Sequence, residues 1–216
     1  MCALKDGRPS QTQSRKVIFW DVMSTLVYDP FFIEVPAFLG MTLEELYKTK
    51  DSAIWEKFEK GLCTEQDLLD GFFLDRRKFD GQGMVNMIAS KYEWLPGMKE
   101  LLIELKQKGY EMHIISNYPI WFNQIESKLS LSTILPWSFV SAETGLRKPD
   151  KEAYLMAQRK LNLDAGQCIL VDDSKSNVES AKSCGWFGIC FNGSCGTLKE
   201  ELYKILENSG DSATEI

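Results

Sequence analysis

One histidine, His113, is all that the 216 residues contain. A Ser-His-Asp or Cys-His mechanism therefore has no second imidazole to draw on. His113 itself lies inside an apolar strand pattern, where a hydrogen-bonded sheet histidine is the plainer reading. The six cysteines form no CxxC and no Cys/His cluster, which argues against a structural zinc site and fits a reducing compartment. Cys168 and Cys190 fall in strand-like apolar runs and are expected to be small buried hydrophobes. No run of about 18 apolar residues occurs, so no transmembrane helix is expected. Basic charge is in deficit: 25 Lys and Arg stand against 31 Asp and Glu, a net charge of −6. That balance counts against nucleic acid or an anionic membrane as partner. It leaves a small anionic ligand open, because one site can be positive on an acidic protein.

With 44% hydrophobic and 26% charged residues, the chain has the composition of an ordinary globular protein. Its length suits one domain, or one domain with an insertion. Residues 1–14 are polar and aperiodic, and are expected to be a disordered tail. They carry a basic bias, but too little length and amphipathicity for a convincing transit peptide, and no apolar core of a secretory signal. Residues 208–216 read as a frayed tail.

The run Val17, Ile18, Phe19, Trp20 reads as a strand buried on both faces, the parallel-sheet kind. It stops at Asp21. Residues 28–93 then show helix formers and aromatics with no buried-strand run. Thr42 with Glu45 forms a capping box, Asp51 caps the next helix, Gly61 ends it, and Thr64 opens another, EQDLLDGFFLDR, with Leu68, Leu69, Phe72 and Phe73 on its apolar side. Such a stretch is too long for a loop, and a small helical cap is predicted. From residue 94 the pattern alternates: helix from Pro96 to Gly109, strand 110–116, helix 119–129, strand 137–141, helix 150–161, strand 167–171, helix to Gly185, strand 187–191 and a last helix 197–206. The predicted fold class is α/β: a doubly wound, Rossmann-like parallel sheet formed by 15–27 and 94–207, with 28–93 as the cap.

The strand ends carry Asp21, Ser116-Asn117 and Asp172-Asp173, and a further loop carries Arg147-Lys148-Pro149-Asp150. Strand ends of a parallel sheet converge on one edge, so these groups are expected in one crevice. The acids suit Mg²⁺, a hard cation that prefers oxygen ligands. Ser116 can donate to a phosphate oxygen, and Lys148 supplies positive charge. Together they suit attack on a phosphoryl group by a carboxylate.

On these residues the chain resembles the haloacid dehalogenase superfamily over residues 15–195. Asp21 matches the nucleophile, which becomes an aspartyl-phosphate in that family. Ser116 matches its second-motif hydroxyl, with Asn117 beside it at the phosphate. Lys148 matches the third-motif lysine, and Asp172 and Asp173 the fourth-motif acids. Asn177 falls where a supporting polar residue often follows. The resemblance implies a Mg²⁺ held by Asp21, Asp172 and the Met23 backbone carbonyl, with Asp173 supporting the metal or Lys148. The stretches DVMSTLVYDPFF, VPAFLGM, WEKFEKG, SNYPIW and RKPD are similar to the plant FMN hydrolase branch. This implies a small phosphorylated metabolite as partner, FMN first, and a plastid location as an alternative to the cytoplasm. Phe31, Phe32, Tyr47, Trp55, Phe58 and Trp94 offer a stacking wall for an isoalloxazine ring, although aromatics at helical spacing also fill cores.

Two positions depart from the family pattern. Ser24 replaces the usual Gly. Met23 stands where most of these phosphatases have the aspartate that serves as general acid and base, and the resemblance to the plant branch implies that this change is a trait of that branch. A thioether transfers no proton, and loss of a general acid typically costs about 10²–10⁴ in rate. A catalytically weakened binding or regulatory protein is therefore the alternative. The dehalogenases proper also lack this aspartate, but they need no metal and keep no paired fourth-motif acids. A Schiff-base lysine, as in phosphonatase-like chemistry, would have to come from Lys48, Lys50, Lys57 or Lys60, which read more simply as solvated. Oligomeric state is not legible in the sequence.

Overall fold

The strand β1 (Val17–Trp20) is fully buried, and its side chains alternate between two apolar clusters. Ile18 and Trp20 belong to one, Val17 and Phe19 to the other. That pattern requires cover on both faces, which a central strand of a parallel sheet receives. The computed structural model describes residues 15–207, so both expected tails, 1–14 and 208–216, lie outside the described residues. β1 pairs with β2 (Glu111–Ser116) on one side and β4 (Cys168–Asp172) on the other. β3 (Phe139–Val140) and β5 (Phe187–Cys190) extend the sheet to the order β3-β2-β1-β4-β5, all parallel.

Helices cover both faces. α6 (Met98–Gln107), α7 (Phe122–Leu129) and α11 (Cys195–Glu207) pack Leu102, Ile125 and Leu202 against the Ile18/Trp20 side. α9 (Lys151–Lys160) and α10 (Lys175–Ser183) pack Tyr154, Ala157 and Val178 against the Val17/Phe19 side. Among the described residues no helix is long and apolar enough to cross a membrane.

Between β1 and α6 run five helices: α1 (Glu34–Leu39), α2 (Leu43–Thr49), α3 (Ser52–Glu59), α4 (Glu65–Gly71) and α5 (Gly81–Lys91). The expected capping box joins Thr42 and Glu45, and Thr64 forms a second with Asp67. Asp51 accepts from the Ala53 and Ile54 N–H groups, and Gly61 leaves the end of α3 at φ +69°. The inbound and outbound chains form an antiparallel stem. Tyr28 N–H donates to Glu93 O at 2.9 Å, and Leu95 N–H to Leu26 O at 2.9 Å. The apolar cluster nevertheless runs unbroken from Trp20 through Phe58, Leu68 and Met84.

Three local readings are corrected. The strand read at 137–141 is β3 alone. Ser141 instead opens the one-turn helix α8 (Ser141–Thr144), and its hydroxyl donates to Glu59 O at 2.6 Å. α4 stops at Gly71, because Phe73 turns back to bridge Lys50. Cys168 is buried as expected, but Cys190 is exposed. β5 is an edge strand, and Cys190 stands at its last position.

Phe19 is fully buried with its ring 4.6 Å from Trp186 and 6.0 Å from His113 and Phe139. These flat neighbours cannot close over the void that truncation would leave. Phe19→Ala is expected to lower unfolding free energy by about 3–5 kcal/mol. A reduced urea midpoint with unchanged slope would register it.

Candidate active site

The sheet order reverses at β1: β2 and β3 lie to one side, β4 and β5 to the other. Open α/β sheets bind ligands outside the carboxyl ends of strands at such a switch point. Here the register sets Trp20 beside Val171 and Ile114. One residue further on, Asp21 therefore leaves β1 next to Asp172 at the end of β4, and Asp21 N–H donates to Val171 O at 2.9 Å.

Lys148 closes the pair from the loop before α9. Its ammonium donates to Asp21 Oδ1 at 2.7 Å and to Asp172 Oδ2 at 2.5 Å. All three side chains are buried. Burial pushes the Asp21 carboxyl up to about 7, with Lys148 opposing and the Asp172 charge adding. Burial alone would lower the Lys148 ammonium. The two carboxylates outweigh it and hold the ammonium above its ordinary value.

Neutral side chains hold the Lys148 backbone and the two carboxylates. The Asn117 amide donates to Lys148 O at 2.7 Å and accepts the Lys148 N–H at 2.8 Å. The side chain expected at the phosphate thus also bonds both backbone groups of Lys148. Asn177 Nδ2 donates to both oxygens of Asp172, at 3.0 and 3.1 Å. The Asn177 carbonyl in turn accepts from the Tyr154 hydroxyl at 2.9 Å. Thr25 is a further site residue to which the sequence reading gave no role. Its hydroxyl reaches Asp21 Oδ2 at 3.3 Å and accepts the Asp173 N–H at 3.1 Å, tying the two strand-end loops together. Its signal was its place four residues after Asp21, on the turn that follows the strand.

Ser116 ends β2 with its Oγ buried and without a hydrogen-bond partner among the described residues. A buried unpaired hydroxyl is costly, so this one is positioned for a ligand acceptor. Met23 O is also unpartnered among the described residues, because the turn bonds Ser24 N–H to Val27 O and Val27 N–H to Val22 O. Carboxylate oxygens of Asp21, Asp172 and Asp173 lie within 4.8 Å of one another. Lys148 makes no bond to Asp173 among the described residues, although its charge opposes the burial that raises the Asp173 carboxyl. Three carboxylates, a free carbonyl and one ammonium leave the cluster short of positive charge, and every free donor is a hard oxygen. The set fits Mg²⁺.

Beyond Met23 opens a cavity of about 200 Å³ between the sheet edge and the inserted helices. Four of the expected aromatics line it: Phe31, Phe32, Tyr47 and Trp55. Phe58 does not, since it is buried in the apolar cluster, and Trp94 sits at the stem bridged to Val27. Trp121 of the sheet domain takes part instead. The inserted helices are fixed over this cavity through Glu59, whose carboxylate accepts from Arg147 Nε at 2.8 Å and Trp55 Nε1 at 3.1 Å. Arg147 immediately precedes Lys148. His113 is remote in role: it bonds Ser138 and Glu111, as a sheet histidine.

The sequence model of the haloacid dehalogenase-like hydrolase family matches residues 33–189. The chain is 42% identical over 191 residues to the chloroplast flavin mononucleotide hydrolase 1 of Arabidopsis thaliana, covering 88% of this chain and 78% of that protein. It is 28% identical over 170 residues to the sesquiterpene phosphatase astK of Aspergillus oryzae, covering 74% and 83%. Among solved structures, a haloacid dehalogenase family enzyme of Bacteroides thetaiotaomicron, a variant in complex with magnesium and inorganic phosphate, superposes with a TM-score of 0.71. It shares 17% identity, and the match covers 86% of this chain and 99% of that one. The 2-haloacid dehalogenase of Pseudomonas syringae gives 0.60 at 18% identity, covering 82% and 86%. At those identities the likeness is one of fold.

Replacing Lys148 by Met would leave Asp21 and Asp172 facing each other without a counter-charge. Lys148→Met is expected to destabilise the protein by about 3–5 kcal/mol when no divalent cation is present. Urea unfolding in EDTA would measure it.

Proposed function

This chain belongs to the haloacid dehalogenase-like hydrolase family, and from that premise we propose that it is a Mg²⁺-dependent phosphatase. Its proposed reaction converts FMN to riboflavin and inorganic phosphate through an aspartyl-phosphate on Asp21. The observation that carries this reading is the buried Asp21–Lys148–Asp172 cluster with the orphaned Ser116 hydroxyl beside it. A nucleophilic carboxylate, a fixed cation and an unpaired donor are the parts that phosphoryl transfer needs.

In this reading Asp21 attacks phosphorus, and Ser116 Oγ–H and the Lys148 ammonium bind the phosphoryl oxygens. Asn117 and Asn177 act one step back, by fixing Lys148 and Asp172. Asp21, Asp172 and the Met23 carbonyl would hold Mg²⁺, with Asp173 supporting. When bound, the ion supplies positive charge against the phosphoryl group and lowers the Asp21 carboxyl. Residues 28–93 are proposed as a cap whose aromatics, Phe31, Tyr47 and Trp55 among them, stack on the isoalloxazine ring. The 42% identity to a flavin mononucleotide hydrolase supports that substrate, and its chloroplast location supports a plastid compartment over the cytoplasm. One observation favours a second reading, a catalytically weakened binding protein: Met23 carries no proton to transfer.

Phosphate release from FMN and a panel of sugar and nucleotide monophosphates tests the proposal. Mg²⁺-dependent turnover is expected with FMN the best substrate, and Asp21→Asn should reduce it by about 10⁴-fold or more. Turnover no greater than that of the variant on every ester would leave the binding protein as the better reading. Independently of activity, Mg²⁺ at about 100 times its dissociation constant should stabilise the wild type by about 2.7 kcal/mol. Asp172→Asn should lose most of that gain in a thermal-unfolding assay.

A further inference from the structure

Hydrolysis of an alkyl phosphate expels an alkoxide, which leaves readily only when it is protonated. Met23 cannot supply that proton. The titratable side chains that share a cavity with Met23 are Asp29, Tyr47, Lys50, Glu59 and Tyr118. Glu59 is engaged by Arg147 and Trp55. The Tyr118 hydroxyl is bonded to that of Tyr92 at 2.7 Å, and burial raises it well above its ordinary value. Tyr47 is half exposed, and the Lys50 ammonium, which burial lowers from its ordinary value against the Glu59 charge, lies over the Phe31 and Tyr47 rings at 4.9 and 5.4 Å.

Asp29 differs from all of these. It follows the stem residue Tyr28 and stands where the chain passes into the inserted helices. The turn that pairs Met23 with Val27 folds the chain back, so residues 23 and 29 both face the cavity. Oδ1 accepts the Phe31 N–H at 2.9 Å, which fixes the carboxyl group, while Oδ2 takes no hydrogen bond among the described residues. No salt bridge engages it among the described residues. We propose that Asp29 is the general acid and base of this enzyme, performing at the cavity wall the proton transfer that position 23 cannot.

The proposal rests on the phosphatase reading above. As the Asp21 oxygen forms its bond to phosphorus and the bond from phosphorus to the leaving oxygen breaks, Asp29 gives its proton to that oxygen, releasing the alcohol. The Asp29 carboxylate then takes a proton from water as the water oxygen bonds to phosphorus. The acyl-phosphate bond breaks, inorganic phosphate leaves, and both aspartates return to their starting forms. The environment suits both halves. Burial pushes the Asp29 carboxyl up to about 6; the Phe31 N–H opposes this, and the Asp173 and Glu34 charges add to it. Tyr92 and Tyr118 face it as neutral phenols, with Lys50 and Glu59 lining the same cavity. At pH 7 about a tenth is then protonated, and the rest is available as base.

The test compares Asp29→Asn with the wild type on two esters in Mg²⁺. One is FMN or the best alkyl ester of the panel. The other is p-nitrophenyl phosphate, whose leaving group departs unprotonated. Because kcat/KM reports steps up to the aspartyl-phosphate, it isolates the proton given to the leaving group. Expected is a fall of about 10²–10⁴ on the alkyl ester and a much smaller fall on p-nitrophenyl phosphate. The decline of kcat/KM for the alkyl ester as pH rises through the Asp29 range should vanish in Asp29→Asn. It should return in Asp29→Glu, which keeps the carboxyl. Equal losses on both esters, a pH limb that survives in Asp29→Asn, or the same selective loss in Lys50→Met would overturn this proposal alone. Turnover of neither ester by the wild type would overturn it together with the phosphatase reading.

Discussion

Two carboxylates and one ammonium share a dry space at the ends of β1 and β4, and the rest of the site answers to that fact. Burial favours the neutral form of Asp21, and the buried Asp172 carboxylate beside it adds to that effect. Lys148, bonded to both, makes the pair tenable. Its own burial is offset by having two anions instead of one. Asn177 and Thr25 then bond the two carboxylates and Asn117 the backbone of Lys148, while Ser116 Oγ, among the described residues, is a buried hydroxyl with no partner. Adding another positive charge to such a cluster relieves its excess of carboxylates. A phosphoryl group adds acceptors for Ser116 and Lys148.

The inserted helices are bound to this centre by chemistry as well as by packing. Glu59 reaches from α3 to Arg147, one residue from Lys148, and Ser141 of α8 donates to the Glu59 carbonyl. Gly61 belongs to the same contact: a Cβ there would come within 2.4 Å of Ala142 O. The wall of the cavity is therefore positioned against the loop that carries the cation. The stem at Tyr28 and Leu95 sets the two ends of the insertion side by side, so Met23 and Asp29 share the cavity although the first belongs to the sheet edge and the second leads away from it.

The two departures from the family motif have different physical weights. Ser24 occupies φ +58°, a left-handed conformation that glycine adopts without strain and serine only at a cost of about 1 kcal/mol. The backbone keeps the turn regardless, since Ser24 N–H and Val27 O bond at 2.8 Å. Met23 costs no geometry at all. Its carbonyl remains free and its side chain is buried against the cavity, but the position has lost an ionisable group. Backbone ligation survives such a change and proton transfer does not.

Much of the fold was legible because burial leaves a periodic trace. The unbroken run at 17–20, the helix caps at Thr42, Asp51 and Thr64, and acids at strand ends each follow from local chemistry, and each lies where it was expected. The misread positions depend on neighbours that are distant in the chain. Cys190 is exposed at the end of the edge strand β5, and Phe58 took the core-filling alternative, packed against Trp121. Asn117, expected at the phosphate, also bonds both backbone groups of Lys148, 31 residues away, a link that no local pattern announces. The sequence by itself determined which chemical groups stand at the ends of the strands, since strand length and residue type are local properties. Only the tertiary structure decided which of those groups remain free to react, because a hydrogen bond between residues 31 or 88 positions apart leaves no periodic signal.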